Sequence, residues 1–68
     1  MADEQGWVIE RYINSDLRYW AGLTCESFSS ESEKAIRFSR AEGAARVLAW
    51  LLNGQGRVVQ HLWVRRHA

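Results

Sequence analysis

The sequence has one cysteine, no proline and a single lysine, and its longest uninterrupted apolar run is the six-residue stretch from Val47 to Leu52. A helix that crosses a bilayer needs about 20 apolar residues, so no membrane span and no membrane partner are expected. One cysteine forms no internal disulfide and supplies no thiolate zinc site. The first residues, Met1 to Gln5, are acidic and polar, unlike the basic and then apolar start of a signal peptide. We therefore expect a protein of the reducing cytoplasm.

What the 68 residues do contain is hydrophobic side chains, 47% of the total, with four tryptophans and only 25% charged residues. This composition is typical of a folded chain, and the length predicts one small domain over residues 1–68, with flexible ends at 1–6 and 65–68. A domain of this size buries little surface, and disulfide or metal staples are missing. Aromatic packing or self-association must supply the stability, and pairing of unprotected edge strands would give a homodimer.

Charge is divided unevenly along the chain. Residues 1–33 carry two basic and seven acidic residues, a net of −5, whereas residues 34–68 carry seven basic residues and one acidic residue, a net of +6. If folding keeps the halves apart, the molecule has an acidic side and a basic side. If the halves meet across a sheet, they neutralise each other. The sequence leaves both arrangements open.

Strand patterns occupy the first third of the chain. Residues Trp7–Ile13 and Leu17–Thr24 are rich in β-branched and aromatic residues, and Asn14–Asp16 between them has turn chemistry, which together predict a β-hairpin. Gly22, near the end of the second run, indicates a bulge or a close backbone approach. The alternation in Lys34–Phe38 predicts a short third strand.

A helix follows a polar surface loop over Glu26–Glu33, in which one helical turn is expected. Ser39 and Glu42 have the spacing of a capping box at the helix start, and Gly54 is placed to end the helix in the left-handed conformation. Trp50 flanks the apolar side and is expected in the core. The predicted apolar stripe consists of Ala41, Ala44, Ala45, Leu48, Leu51 and Leu52.

Residues Arg57–Val64 predict a last strand. Its alternation places two sets of side chains on opposite faces, namely Val58, Leu62 and Val64 on one and Val59, His61 and Trp63 on the other. The predicted fold class is therefore α+β, an antiparallel sheet of three to four strands with one helix packed across it, in the order β-β-(β)-α-β.

Residues that carry chemistry are few. Cys25, His61 and His67 are the only thiol or imidazole groups, and no two of them have a metal-ligand spacing. A Cys25–His61 pair would be the one route to a nucleophile, although an unreactive thiol explains Cys25 as well. The Gly54–Gly56 turn follows a helix, whereas phosphate-binding glycine loops precede one. We predict no catalytic residue, no metal and no cofactor, so the chain is not expected to be an enzyme.

Nucleic-acid binding is an alternative function. The basic half of the chain would form one face, on which Trp20 or Trp63 would stack a base. A pI near 8.0 and a single lysine are low for a dedicated nucleic-acid-binding domain. The residues predicted for this function are Arg37, Arg40, Arg57, Arg65 and Arg66.

Protein binding is the leading prediction, because tryptophan and arginine dominate interface hot spots and four tryptophans are many for so small a core. An acidic edge in the first half would also imitate a phosphate backbone and occupy a basic groove. The residues predicted for this function are Asp16, Glu26, Glu31 and Glu33, together with Trp20 and Trp63 as exposed anchors.

Three segments resemble small proteins of phages and prophages: Tyr19–Gly22, Ala35–Phe38 and the alanine-rich start of the helix at residues 41–45. In size and in its lack of catalytic residues the chain is similar to anti-CRISPR proteins, over roughly residues 7–64. The resemblance implies a non-enzymatic inhibitor in the cytoplasm of a bacterial host. The implied partner is a host protein or ribonucleoprotein complex, namely a CRISPR effector complex, and binding to it blocks target-DNA recognition or nuclease recruitment. Because the members share little sequence, the resemblance implies no individual site residue.

Overall fold

The computed structural model describes residues 4–64, which form an antiparallel sheet of four strands with one helix across it. The sheet order is β3-β2-β1-β4, which confirms the predicted α+β class. No helix in this part of the chain is long and apolar enough to cross a bilayer. The elements are β1 (Glu4–Ile13), β2 (Asp16–Trp20), β3 (Phe28–Ser29), a 3-10 turn (Ser32–Lys34), α1 (Ala41–Trp50) and β4 (Arg57–Trp63).

The hairpin of β1 and β2 is tighter than predicted. Its loop is only Asn14 and Ser15, with φ of 52° and 70°, and two left-handed residues are what a two-residue hairpin turn requires. Asp16 therefore already belongs to β2. The strand ends at Trp20, and Gly22 then turns the chain with φ of 118°. A Cβ on Gly22 would lie 3.0 Å from Ile36, so the predicted close approach is confirmed.

The third strand is not where the alternation predicts it. It is Phe28–Ser29, inside the predicted polar loop, because Phe28 pairs with Trp20 and packs against the core. Residues 34–38 do not form a strand, although Phe38 exchanges two backbone hydrogen bonds of 2.8 Å with Trp7. This single bridge fills the place beside the first half of β1, beyond the end of β2.

β1 begins at Glu4, earlier than the sequence pattern indicates. Residues 4–10 pair in antiparallel register with residues 63–57 of β4, so backbone hydrogen bonding extends the strand beyond its apolar part. Residues 4–6 of the predicted flexible end thus lie in the sheet. Residues 1–3 and 65–68, the remainder of the predicted ends, lie outside the described residues.

The helix begins without the predicted capping box. Arg40 is the N-cap residue, in an extended conformation, and no side-chain hydrogen bond caps the first turn. Ser39 precedes the cap position and so is one residue too early to serve. The predicted stop is confirmed: Gly54 has φ of 74°, and its N–H donates to the Leu48 carbonyl at 2.7 Å.

The main core lies between α1 and one side of the sheet, here called the helix face. Its fully packed members are Ile9, Trp20, Ala44 and Leu52. The prediction that Trp50 belongs to this core is wrong, because Trp50 is 88% exposed. At about 100° per residue, Trp50 lies about 120° around the helix from Ala44, which faces the sheet.

The opposite side of the sheet, here called the second face, has a smaller core of Val8, Ala35 and Trp63, with Tyr19 and Val59 packed against it. Residues 30–35, here called the crossover segment, cover this face. Val58 packs in the helix-face core and Val59 and Trp63 in the second, so the alternation predicted for β4 is confirmed for these residues.

Candidate binding surface

The four acidic residues predicted to form one edge are spread over the start of β2, the loop before β3 and the 3-10 turn with its N-cap. Asp16 opens β2 and Glu26 precedes the β3 residue that pairs with the far end of β2, a separation of about 13 Å along the strand. Asp16 lies 3.9 Å from Arg18, and Glu31 lies 3.0 Å from Lys34. These basic neighbours reduce the negative field that a phosphate-mimicking edge needs.

Trp20 and Trp63, predicted as exposed anchors, are 6% and 8% exposed, so that expectation is wrong. Each ring is part of a core cluster, and each indole N–H donates to a backbone carbonyl. The Arg37 guanidinium covers the Trp63 ring at 4.1 Å from its centroid. Glu33 is exposed and lines a groove of about 520 Å³ beside these two residues.

The basic residues predicted for nucleic-acid binding are also partly engaged. Arg37 forms an ion pair with Glu4, and Arg57 donates from Nε to Glu10 Oε1 at 2.6 Å, with Nη2 in ion-pair contact at the same distance. Both pairs join the acidic first half to the basic second half across the sheet, which is the neutralised arrangement that the sequence left open. Arg40 is exposed at the start of α1, and Arg65 and Arg66 lie outside the described residues.

The residues with potential chemistry are separated from one another. Within residues 4–64 no three His, Cys, Asp or Glu side chains come close enough to hold a metal ion. Cys25 is exposed in the loop after β2. His61 packs between aromatic rings on the second face, with centroids 5.8 Å from Tyr19 and 4.5 Å from Trp63. Its surroundings are those of a packed aromatic side chain.

The most unusual exposed side chain is one that the sequence pattern assigned to the core. Trp50 projects from the last turn of α1 and, with Arg46 and Val47, lines a groove of about 440 Å³. A neighbouring groove of about 300 Å³ continues towards the start of the helix along Arg40 and Gly43. The helical phase of Trp50 relative to Ala44 was the sequence signal for this exposure.

This flank of the helix overlooks β2, since a Cβ on Gly43 would lie 3.5 Å from Phe38, on the β2 side of β1. Two further arginines lie on the same face of the sheet. Arg11 and Arg18 are directly opposite each other in the β1–β2 register, and the Arg11 guanidinium lies 5.3 Å from the centroid of the Phe28 ring. The Trp50 surface, as used below, consists of Arg46, Val47 and Trp50 with Arg11 and Arg18.

The surroundings of Arg18 leave part of its guanidinium group without a hydrogen bond. Its Nε atom is buried and has no hydrogen-bond partner among residues 4–64. Like charges directly opposite on neighbouring strands repel each other, so the Arg11–Arg18 pair is a local cost to the fold. Asp16, at 3.9 Å from Arg18, relieves part of the repulsion, and an acidic group of a partner at this surface would relieve more of it.

Comparison with known proteins adds no relative: no family model, no curated protein and no solved structure matches this chain.

Proposed function

We propose that this protein is a non-enzymatic binding module that uses the Trp50 surface to bind an acidic surface of a protein partner. The observation that carries the proposal is the 88% exposure of Trp50, in a chain whose Trp20 and Trp63 are buried. Tryptophan and arginine are the residues most enriched at interface hot spots, where a large ring fills a desolvated pocket of the partner.

The charge of the surface supports an acidic partner. Arg46 lines the groove beside Trp50, Arg11 and Arg18 lie on the same face of the sheet, and Asp16 lies 3.9 Å from Arg18. A positive surface attracts a negative one over several ångströms and sets the orientation in which the two proteins meet. Val47 and the Trp50 ring add the apolar centre that such an interface needs.

The narrower form of the proposal is that the partner belongs to a CRISPR nucleoprotein complex in the cytoplasm of a bacterial host. Binding there would block target-DNA recognition or nuclease recruitment. This form rests on the resemblance of residues 7–64 to anti-CRISPR proteins, whereas the binding surface rests on the exposure and charge of the residues around Trp50.

A binding experiment tests the surface. Tagged protein is mixed with purified CRISPR effector complexes and with bacterial lysate before and after nuclease treatment, and bound proteins are identified by mass spectrometry. Trp50→Ala should abolish capture, whereas Tyr12→Ala, which removes an exposed aromatic ring from the second face, should leave capture unchanged. Equal capture by Trp50→Ala would overturn the proposed surface. Partners that disappear after nuclease treatment would favour nucleic-acid binding instead.

A functional experiment tests the inhibitor. A plasmid that carries a CRISPR target transforms cells with an active system poorly, and expression of the chain should restore transformation. Trp50→Ala should remove this protection and Tyr12→Ala should keep it. If the wild-type chain protects against none of the systems tested, the narrower proposal is wrong, and the binding experiment still decides whether the surface binds another protein.

A further inference from the structure

The two edges of the sheet differ in how they are protected. β3, at one edge, has only two residues, Phe28–Ser29, and is too short to recruit another strand. β4, at the other edge, has seven residues and within Arg57–Trp63 carries one charged side chain, at its first position. Proline, lysine and bulges, which commonly protect an edge, are missing from it. A long unprotected edge needs a partner or invites aggregation.

The direction of the backbone groups on β4 follows from β1. Trp7 exchanges hydrogen bonds with Phe38 on the side of β1 away from β4. Successive residues of a strand point their N–H and C=O groups to alternate sides, so Trp7 does not bond to Gln60, its neighbour in β4. The backbone groups that point to the free edge of β4 are therefore those of Val58, Gln60 and Leu62.

The β4 strands of two copies can pair antiparallel about a twofold axis at Gln60. The outward backbone groups of Val58, Gln60 and Leu62 then face those of Leu62, Gln60 and Val58 in the second copy. The register uses all seven residues, and Gln60 faces itself. Leu62, which is 47% exposed on the helix face, then lies beside Val58 of the second copy. Arg57, which keeps its partner Glu10, lies opposite Trp63 of the second copy. No like charges oppose each other within Arg57–Trp63.

The helix is shaped for the same arrangement. A twofold axis perpendicular to the sheet keeps both helices on the same side of the sheet. With each helix centred midway between β1 and β4 of its own copy, a strand spacing of about 4.8 Å places the two helix axes about 10 Å apart. Helices pack at 8–10 Å, the closer distances requiring small side chains. The flank opposite Gly43, which faces the β4 side, presents Ala41, Ala45 and Ala49, the last two exposed.

We propose that two copies of this protein pair through antiparallel β4 strands, centred on Gln60, to form one continuous eight-stranded sheet with the two alanine flanks of the helices in contact. The Trp50 surface lies on the other flank of each helix, so pairing leaves both copies of that surface open. The dimer thereby presents two binding surfaces on one side of the molecule.

Sedimentation equilibrium over a range of protein concentrations tests the pairing. The mass should rise from 7.9 kDa towards twice that value. Leu62→Lys should weaken self-association about tenfold or more, because each dimer contains the substitution twice. Leu23→Lys, the same change at an almost fully exposed leucine outside the edge, should leave association unchanged. Gln60→Pro removes an outward N–H and should give a folded monomer by circular dichroism.

Cross-linking tests the register. In a Cys25→Ser background, Gln60→Cys should give a dimer with a short thiol-reactive cross-linker, because residue 60 faces its own copy, whereas Gln55→Cys in the exposed turn should not. A wild-type chain that stays at 7.9 kDa at all concentrations would overturn the proposal. So would a dimer that persists unchanged in both Leu62→Lys and Gln60→Pro, since it would use another surface.

Discussion

The two faces of the sheet have similar cores but are covered by different elements. Each has one buried tryptophan at its centre, Trp20 on the helix face and Trp63 on the second face. Each indole N–H donates to a backbone carbonyl in the loop beside it, to Thr24 at 2.8 Å and to Ser32 at 3.1 Å. Among the described residues, the helix face is covered by α1 and the second face by the crossover segment.

The difference in cover determines where charge is tolerated. The packed members of the helix-face core are all apolar, whereas the second face includes Glu10, which is 7% exposed and paired with Arg57. The Arg37 ion pair with Glu4 lies on the same face, against Trp63. Because the cover is thin, the ends of these long side chains reach water. The two ion pairs therefore cover part of the second face without being completely desolvated.

The largest effect should come from the helix face. Ile9→Ala removes a side chain with no solvent exposure from under α1, and the free energy of unfolding should fall by about 2–5 kcal/mol. Val8→Ala, at the equally buried neighbour on the second face, removes fewer atoms under a thinner cover and should cost about 1–3 kcal/mol. Urea denaturation followed by tryptophan fluorescence measures both.

Ile9→Val and Leu23→Ala serve as controls for these two variants. The first removes one methylene and should cost about 0.5–1.5 kcal/mol, and the second alters an almost fully exposed side chain and should change stability by less than about 0.5 kcal/mol. A loss for Val8→Ala as large as that for Ile9→Ala would mean that the two covers hold the faces equally well.

The ion pair of the second face should rank next. Arg57→Gln removes the 2.6 Å Nε donor and the ion-pair contact from the Glu10 carboxylate and leaves that group buried without its charged partner. Charge-assisted hydrogen bonds contribute about 1.5–3 kcal/mol, and the exposed end of Arg57 places the loss in the lower part of this range. The free energy of unfolding should fall accordingly, and the double variant with Glu10→Gln should recover part of it. No recovery would show that the pair contributes nothing specific.

Features with a sequence period were predictable. The alternation in β4 assigned Val58 to one face and Val59 and Trp63 to the other, and Gly54 marked the end of the helix. β3 was missed because a two-residue strand has no period, and Phe28 is one apolar residue among serines and glutamates. The absent capping box depended on the extended backbone of Arg40, which the spacing of Ser39 and Glu42 does not specify.

The binding residues were harder to predict than the fold, because exposure depends on contacts between distant segments. Trp63 is buried in part because the crossover segment, about 30 residues earlier in the chain, reaches its indole. Trp50 is adjacent to the apolar residues Leu51 and Leu52 in sequence but not on the face of the helix that packs. The helical phase measured from Ala44 would have placed Trp50 away from the packed face of the helix.

Alanine substitutions at two glycines compare a position where the added Cβ meets a side chain with one where it meets no atom. Gly22→Ala places a Cβ 3.0 Å from Ile36 Cδ1 at a φ of 118° and should cost about 1–3 kcal/mol. Gly54→Ala also has a positive φ but meets no atom within 4 Å, so it should cost less. Thermal unfolding of the two variants measures the difference. Equal losses would mean that the contact with Ile36 relaxes freely and that only the backbone conformation matters.

The smallest effect should come from the two indole hydrogen bonds. Chemical synthesis of the 68-residue chain allows Trp20 or Trp63 to be replaced by benzothienylalanine, in which sulfur takes the place of the N–H and the ring keeps its shape. Each replacement should cost about 1 kcal/mol or less. The loss is small because the two carbonyls keep a backbone donor: Ser27 N–H to Thr24 at 3.3 Å, and Ala35 N–H to Ser32 at 3.1 Å.

Amide hydrogen exchange then separates the two faces. Replacement at Trp63 should speed exchange at Ala35 and leave Ser27 unchanged, and replacement at Trp20 should do the reverse, because each indole restrains only its own loop. An equal increase at both amides in either variant would mean that the faces open together, and that the sheet and its two covers form a single cooperative unit.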